Sequence, residues 1–149
     1  MILDSLLLFG EAFDLDQETG TYLFTNQIPL SVVRDIGAGR PIYLFANVVT
    51  EAFTDGGDSA TLNLRLRSDD SASIHATSST GHFESGTLLK EALTLGASFI
   101  WPIPMEGNAY EEFLGLQAVV GTAGFDSGMI TAGLTLDPRA LRAYPDAVN

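Results

Sequence analysis

The residues with the most suggestive spacing for ligand chemistry are two glycines, Gly37 and Gly39, between Arg34 and Arg40. Glycine-rich loops can bind phosphate, but a Walker loop needs a lysine and a hydroxyl residue directly after its last glycine. Here Arg40 and Pro41 follow Gly39. A dinucleotide-binding loop must lead into a helix, whereas the residues after Pro41 have the pattern of a strand. We therefore interpret the glycines as turn residues that precede a strand.

Other types of active site also lack their usual patterns. Cysteine is absent, and neither of the two histidines, His75 and His82, has a carboxylate at a recognised metal-ligand spacing. The sequence DGGD at 55–58 lacks the rest of a calcium loop, and no G-x-S-x-G element is present. The sequence thus predicts no metal, no cofactor and no catalytic residue. Paired carboxylates of the glycosidase kind stay open, because sequence does not show which of the 19 acids face each other.

Composition favours one acidic domain. The chain has 149 residues, is 46% apolar and carries a net charge of −12, with 19 acidic and seven basic residues. Such a charge disfavours binding to nucleic acid or to an anionic membrane, since both recruit lysine and arginine. Residues 1–13 have neither a basic leader region nor the length of a membrane span, so we expect neither a signal peptide nor a span.

The elements that would position functional residues are strands. The alternation in TLNLRLR, residues 61–67, predicts a strand with one buried face. Residues 41–53 predict a long strand buried on both sides, which turns at 55–58 and returns at 61. Pro102 and Pro104 predict that the strand at 98–105 lies at a sheet edge or ends there. Further strands are predicted at 21–30, 112–122 and 128–137, and short helical patterns at 87–95 and in the first ten residues.

These patterns predict an all-β jelly roll or β-sandwich with about seven to eight strands in a single domain, residues 1–149. An apolar N-terminal segment (about 1–13) and an extended C-terminal tail (about 138–149) flank it. The only tryptophan, Trp101, is expected to pack in the core or at an interface.

Four stretches, taken in order, resemble a known family: MILDSLLLFGEAF at 1–13, VVRDIGAGRPIYLFANVV at 32–49, ALTLGASFIWPIP at 92–104, and residues 111–147, which contain ITAGLTLD. The chain resembles the capsid cement, or decoration, proteins of short-tailed bacteriophages, typified by the cement protein of a Bordetella phage. The resemblance implies a jelly-roll virion protein, made in the host cytoplasm, that binds the outer capsid surface. It further implies a homodimer that clamps neighbouring major capsid protein subunits against the pressure of packaged DNA, with no enzymatic activity.

Several residues are predicted to form interfaces in that role. They are apolar residues at one chain end, arginines beside the glycine turn, and arginine and tyrosine in the tail, residue types enriched at hot spots: Ile2, Leu3, Leu6, Phe9, Arg34, Arg40, Arg139, Arg142 and Tyr144. The apolar residues could instead pack on their own domain, the tail could be solvated, and the arginines could pair internally, for instance with Asp35. Two other functions stay open, a carbohydrate-binding module of a virion or surface protein and a cupin-type enzyme.

Overall fold

The computed structural model describes residues 5–30, 41–53, 59–104 and 109–136. In these ranges the chain forms ten β-strands and two 3₁₀ helices. The strands are β1 (Leu8–Asp14), β2 (Gly20–Leu23), β3 (Ile28–Pro29), β4 (Tyr43–Phe53), β5 (Thr61–Asp69), β6 (Thr80–Glu84), β7 (Leu88–Leu89), β8 (Ser98–Pro102), β9 (Phe113–Gly121) and β10 (Ser127–Thr135); the 3₁₀ helices are η1 (Ser5–Leu7) and η2 (Lys90–Ala92).

The strands form two antiparallel sheets. One has four strands in the order β1-β10-β4-β8, and the other has six, with the path β2-β9-β5-β6, β3 beside β9 and β7 beside β5. One cluster of buried apolar side chains from both sheets fills the space between them. This architecture confirms the predicted β-sandwich, with more strands than the sequence patterns had indicated.

The strand β5 shows why these residues form a sheet. Leu62, Leu64 and Leu66 are fully buried and alternate with partly exposed residues, so one face of the strand packs in the core. The whole length of β5 pairs with β9, for example Leu64 with Ala118. The predicted strand at 61–67 is confirmed and extends two residues further, to Asp69.

The strand β4 is buried on both sides around Phe45, as predicted, and its outer face is exposed from Val49 on. Leu44, Ala46 and Val48 belong to the core cluster between the sheets. Phe45 alternates with them and therefore lies on the outer face of the four-stranded sheet, yet it is also fully buried. The outer side of this sheet is thus not a simple solvent-facing surface.

Aromatic pairs close the sandwich at its two open sides. Phe13 of β1 stacks on Phe24 with 4.1 Å between ring centroids. On the opposite side, Phe83 of β6 and Trp101 of β8 lie 5.8 Å apart, so that they join the edges of the two sheets. The core packing expected of Trp101 is confirmed, and so is the edge position of its strand.

Three expectations about local structure are wrong. The strands at 41–53 and 61 onward do not pair, because β4 and β5 belong to different sheets; residues 54–58 lie outside the described ranges. Residues 21–30 do not form one strand. They are divided between β2 and β3, because the backbone N–H of Asn26 between these strands donates to the carbonyl of Phe9 at 2.8 Å. The helical pattern at 87–95 becomes β7 and the single turn η2, and the first ten residues give η1 and the start of β1.

Candidate interaction surfaces

The outer face of the six-stranded sheet carries charge. Arg65 and Arg67 point outward from β5, opposite in direction to the buried leucines. The Nε atom of Arg65 lies 3.2 Å from a carboxylate oxygen of Glu84 on β6, an ion pair without hydrogen-bond geometry. Because both side chains are substantially exposed, this pair contributes little to stability.

A loop at residues 70–79 covers part of this face. Ile74 is buried and packs over Gly115 of β9, where a Cβ atom would lie 2.7 Å from Ile74 Cγ1. The neighbouring Gln117 is also buried, and its Nε2 donates to the carbonyls of Ile74 at 3.4 Å and His75 at 3.2 Å. Glycine at position 115 is therefore required by the close approach of the loop.

Polar contacts fasten the same loop at its ends. Arg67 Nε donates to Ser79 Oγ at 2.6 Å, and its Nη2 donates to the carbonyls of Ser79 and Thr77. The backbone N–H of His75 donates to Asp69 Oδ2 at 3.0 Å and holds the pKa of Asp69 below its usual value. Arg67 is thus committed to contacts within the chain, which leaves less of this face free for a partner.

A serine and a histidine meet at the end of β5, a pair that the sequence analysis missed. Ser68 Oγ lies 2.6 Å from His82 Nε2, and the backbone N–H of Glu111 donates to the same oxygen at 3.1 Å. The His82 ring stacks on Tyr110 with 3.8 Å between centroids, and burial lowers the pKa of His82. Because Ser68 is fully buried, the pair lacks the access that a nucleophile needs. It links β5, β6 and the segment before β9.

Metal-ligating groups and membrane-spanning helices were considered for residues 5–30, 41–53, 59–104 and 109–136. No group of three or more histidine, cysteine, aspartate or glutamate residues there is placed to hold a metal ion. No helix in those ranges is long and apolar enough to cross a bilayer.

The outer face of the four-stranded sheet differs in chemistry. From Tyr43 to Thr50 of β4 and along the neighbouring parts of β8 and β10, the outward residues are apolar or neutral polar, and we call this surface the uncharged face. From the register it consists of Tyr43, Phe45, Asn47, Val49, Thr50, Ser98, Ile100, Pro102, Met129, Thr131, Gly133 and Thr135. Three large apolar side chains are exposed on it: Val49 at 43%, Ile100 at 36% and Met129 at 37%. Two acidic residues border this face: Glu51 of β4, which is exposed and follows Thr50, and Asp14 of β1, opposite Met129.

The first strand borders the uncharged face. The backbone of Leu7 and Leu8 passes so close to Gly133 that a Cβ atom there would lie 2.7 Å from the Leu7 carbonyl oxygen. Two irregularities in the register of β1 bring the amide of Ala12 to Thr131 Oγ1, at 3.0 Å. The N-terminal part of the described chain therefore lies along β10 at the rim of this face.

The structure places two of the predicted interface residues. Leu6, in η1 beside β10, is 61% exposed, which suits a contact residue. Phe9 is fully buried in the core of its own domain, the alternative that the sequence analysis left open. Seven others lie outside the described ranges: Ile2, Leu3, Arg34, Arg40, Arg139, Arg142 and Tyr144.

The fold defines the class first: this is a β-sandwich domain built from two antiparallel sheets. Comparison with protein-family models then identifies the family, Bbp16, whose model matches residues 16–134. This match spans more than half of the chain, so the chain belongs to the Bbp16 family, a Bordetella phage family of virion structural proteins. It confirms the family that the sequence resembles. A search of curated proteins finds no match.

Proposed function

We propose that this protein is a capsid decoration protein that binds the outer surface of a phage shell as a homodimer. In this role it clamps neighbouring major capsid protein subunits and stabilises the shell against the pressure of packaged DNA. The observation that carries the proposal is the membership in a family of phage virion structural proteins across residues 16–134.

The physics of a clamp supports the same role. A specific protein interface buries roughly 1,600 Å² in total, and a dimer that contacts two capsid subunits gains avidity beyond either contact alone. A rigid body transmits load between those contacts better than a flexible one. The sandwich meets this requirement, because fully buried side chains such as Phe9, Phe24 and Leu64 fill its core and aromatic pairs join its sheets.

The charge of the chain fits a position outside the shell. At a net charge of −12 the protein is repelled by the packaged DNA, and the same charge keeps a protein soluble at high local concentration. Protein contacts must then form through surfaces that carry few acids or that meet basic residues of the capsid. Contacts of Arg34 and Arg40 with capsid carboxylates would be of this ionic kind, with the charges reversed.

The test is binding of the purified full chain to shells that lack it. Sedimentation with shells should show saturation at a fixed ratio to the major capsid protein, and the decorated shells should survive more heating than bare ones. Arg139→Ala and Tyr144→Ala should weaken binding, whereas Ser73→Ala, in the loop on the six-stranded sheet, should not. Protein that stays in the supernatant at all concentrations would overturn the proposal, and a glycan array would then test the carbohydrate-binding alternative.

A further inference from the structure

We propose that the uncharged face of the four-stranded sheet is the surface through which two copies of this chain pair, sheet against sheet. The inference deepens the proposed function, on which it rests for the expectation of a homodimer, and it assigns that contact to particular side chains. It places Ile100, Met129 and Val49 at the contact.

Charge is the first argument for a second copy as the occupant. In a twofold-symmetric pair the same patch meets itself, so each charge near the axis faces a like charge. A chain with 19 acidic and seven basic residues has few surfaces that avoid such repulsion. The uncharged face largely avoids it, because the residues that form it are neutral at neutral pH and the exposed Glu51 of β4 lies at one end, next to Thr50. The outer face of the other sheet has Arg65, Arg67 and Glu84.

The second argument is the arrangement of exposed apolar side chains. Ile100 pairs in register with Phe45, and Val49 is the extra residue of a bulge beside Met129. These residues therefore share one face: Ile100 lies beside the buried Phe45, and Val49 and Met129 lie further along β4 toward its end. Another strongly exposed leucine, Leu95 at 69%, lies in the loop before β8. Apolar exposure spread over three adjacent strands is typical of a protein contact.

The size of the face also suits a pair. Three strands about 4.8 Å apart and the length of β10 give a flat footprint of roughly 14 Å by 30 Å, about 400 Å². A standard interface buries about 800 Å² of accessible surface per partner, and side chains that project from a sheet expose more surface than their footprint. Leu6 of η1, at the rim along β10, adds further apolar area.

Pairing of edges is the less favourable geometry. The strand β8 is the edge of the four-stranded sheet, and a second copy could in principle extend the sheet there. Pro102 lies in β8 and Pro104 follows it, and neither has an N–H to donate to a new strand. The contact must then be made by side chains on the face.

The first experiment measures self-association of the full chain by analytical ultracentrifugation. Ile100→Asp and Met129→Asp put like charges into the contact and should weaken the dimer at least ~100-fold, with unchanged circular dichroism. The control, Leu89→Asp, adds the same charge at a 52% exposed leucine of the six-stranded sheet and should leave the dissociation constant within about twofold. A wild-type chain that stays monomeric at ~100 μM, or equal weakening in all three variants, would overturn the inference.

The second experiment uses the absence of cysteine in the chain. Ser98 is exposed on the uncharged face, and Ser71 is exposed in the loop on the opposite outer face. With a short bis-maleimide, Ser98→Cys should give covalent dimers and Ser71→Cys should give almost none; the reverse order would contradict the inference. Shell binding is measured separately. A dimer that ignores shells defeats only the proposed function, and a shell-binding monomer defeats only the proposed contact.

Discussion

The packing of Ile74 on Gly115 permits a quantitative test of how the loop at 70–79 is held. Ile74→Ala removes three buried carbon atoms, worth about 0.8 kcal/mol each, and leaves a cavity, so we expect a loss of about 2.5–4 kcal/mol. Gly115→Ala adds a methyl group 2.7 Å from Ile74 Cγ1 and 3.2 Å from Leu23 Cδ1. Overpacking of this kind costs about 1–3 kcal/mol.

The double variant separates this contact from general damage. In Ile74→Ala/Gly115→Ala the new methyl group enters space that the isoleucine has left. We therefore expect the double variant to lose at least about 1 kcal/mol less than the sum of the two single losses. Ser73→Ala, an exposed position in the same loop, should change the free energy of unfolding by less than about 0.5 kcal/mol.

Urea unfolding followed by the fluorescence of Trp101 supplies the measurement. All variants are compared at one protein concentration, because the unfolding of a dimer depends on concentration. Losses that add within about 0.5 kcal/mol would refute the packing of the loop on β9. The loop would then not be a fixed cover of the six-stranded sheet.

Two further predictions concern pH and salt. Burial holds the pKa of His82 below its ordinary 6.5, so the unfolded chain binds the proton more tightly. The stabilising effect of a neutral His82 is therefore complete above pH 6.5 and is lost as the pH falls toward the pKa of the folded state. His82→Gln should flatten the dependence of the urea midpoint on pH in this window. Two copies that each carry −12 repel each other, so 0.5 M NaCl should tighten the dimer roughly 3–10-fold over 0.05 M, measured by ultracentrifugation. Tightening at low salt would indicate an ionic contact instead.

Strand identity was predictable where the side-chain pattern was regular. Leu62, Leu64 and Leu66 alternate without interruption, and β5 forms as expected. The apolar run around Phe45 indicated burial on both sides, and β4 has it. The strand β1 was not predicted, because register shifts between Leu8 and Phe13 interrupt the alternation of buried and exposed side chains.

Pairing between strands was not predictable from the same patterns. A period of two shows that a strand has one buried face, but not whether the next strand lies beside it or across the core. That is why the expected hairpin of β4 and β5 is wrong. The uncharged face and the Ser68–His82 pair could not be predicted from the sequence for a related reason. The first depends on the neighbour order β10-β4-β8. The second depends on the bulge in β6, in which His82 is the extra residue and its ring reaches Ser68.

The two outer faces of the sandwich are therefore open to separate tests. On the six-stranded sheet, Ile74 of the loop at 70–79 and Gln117 of β9 are buried where the loop packs on the sheet. A substitution at either residue therefore acts on folding. On the four-stranded sheet, Ile100 and Met129 are exposed, so a charge there costs the isolated fold little and acts on pairing. Ile74→Ala should thus lower stability and leave the dimer constant unchanged, and Ile100→Asp should do the opposite. If both variants lowered both quantities, folding and pairing would be coupled through the core, and the dimer would form part of the folded state itself.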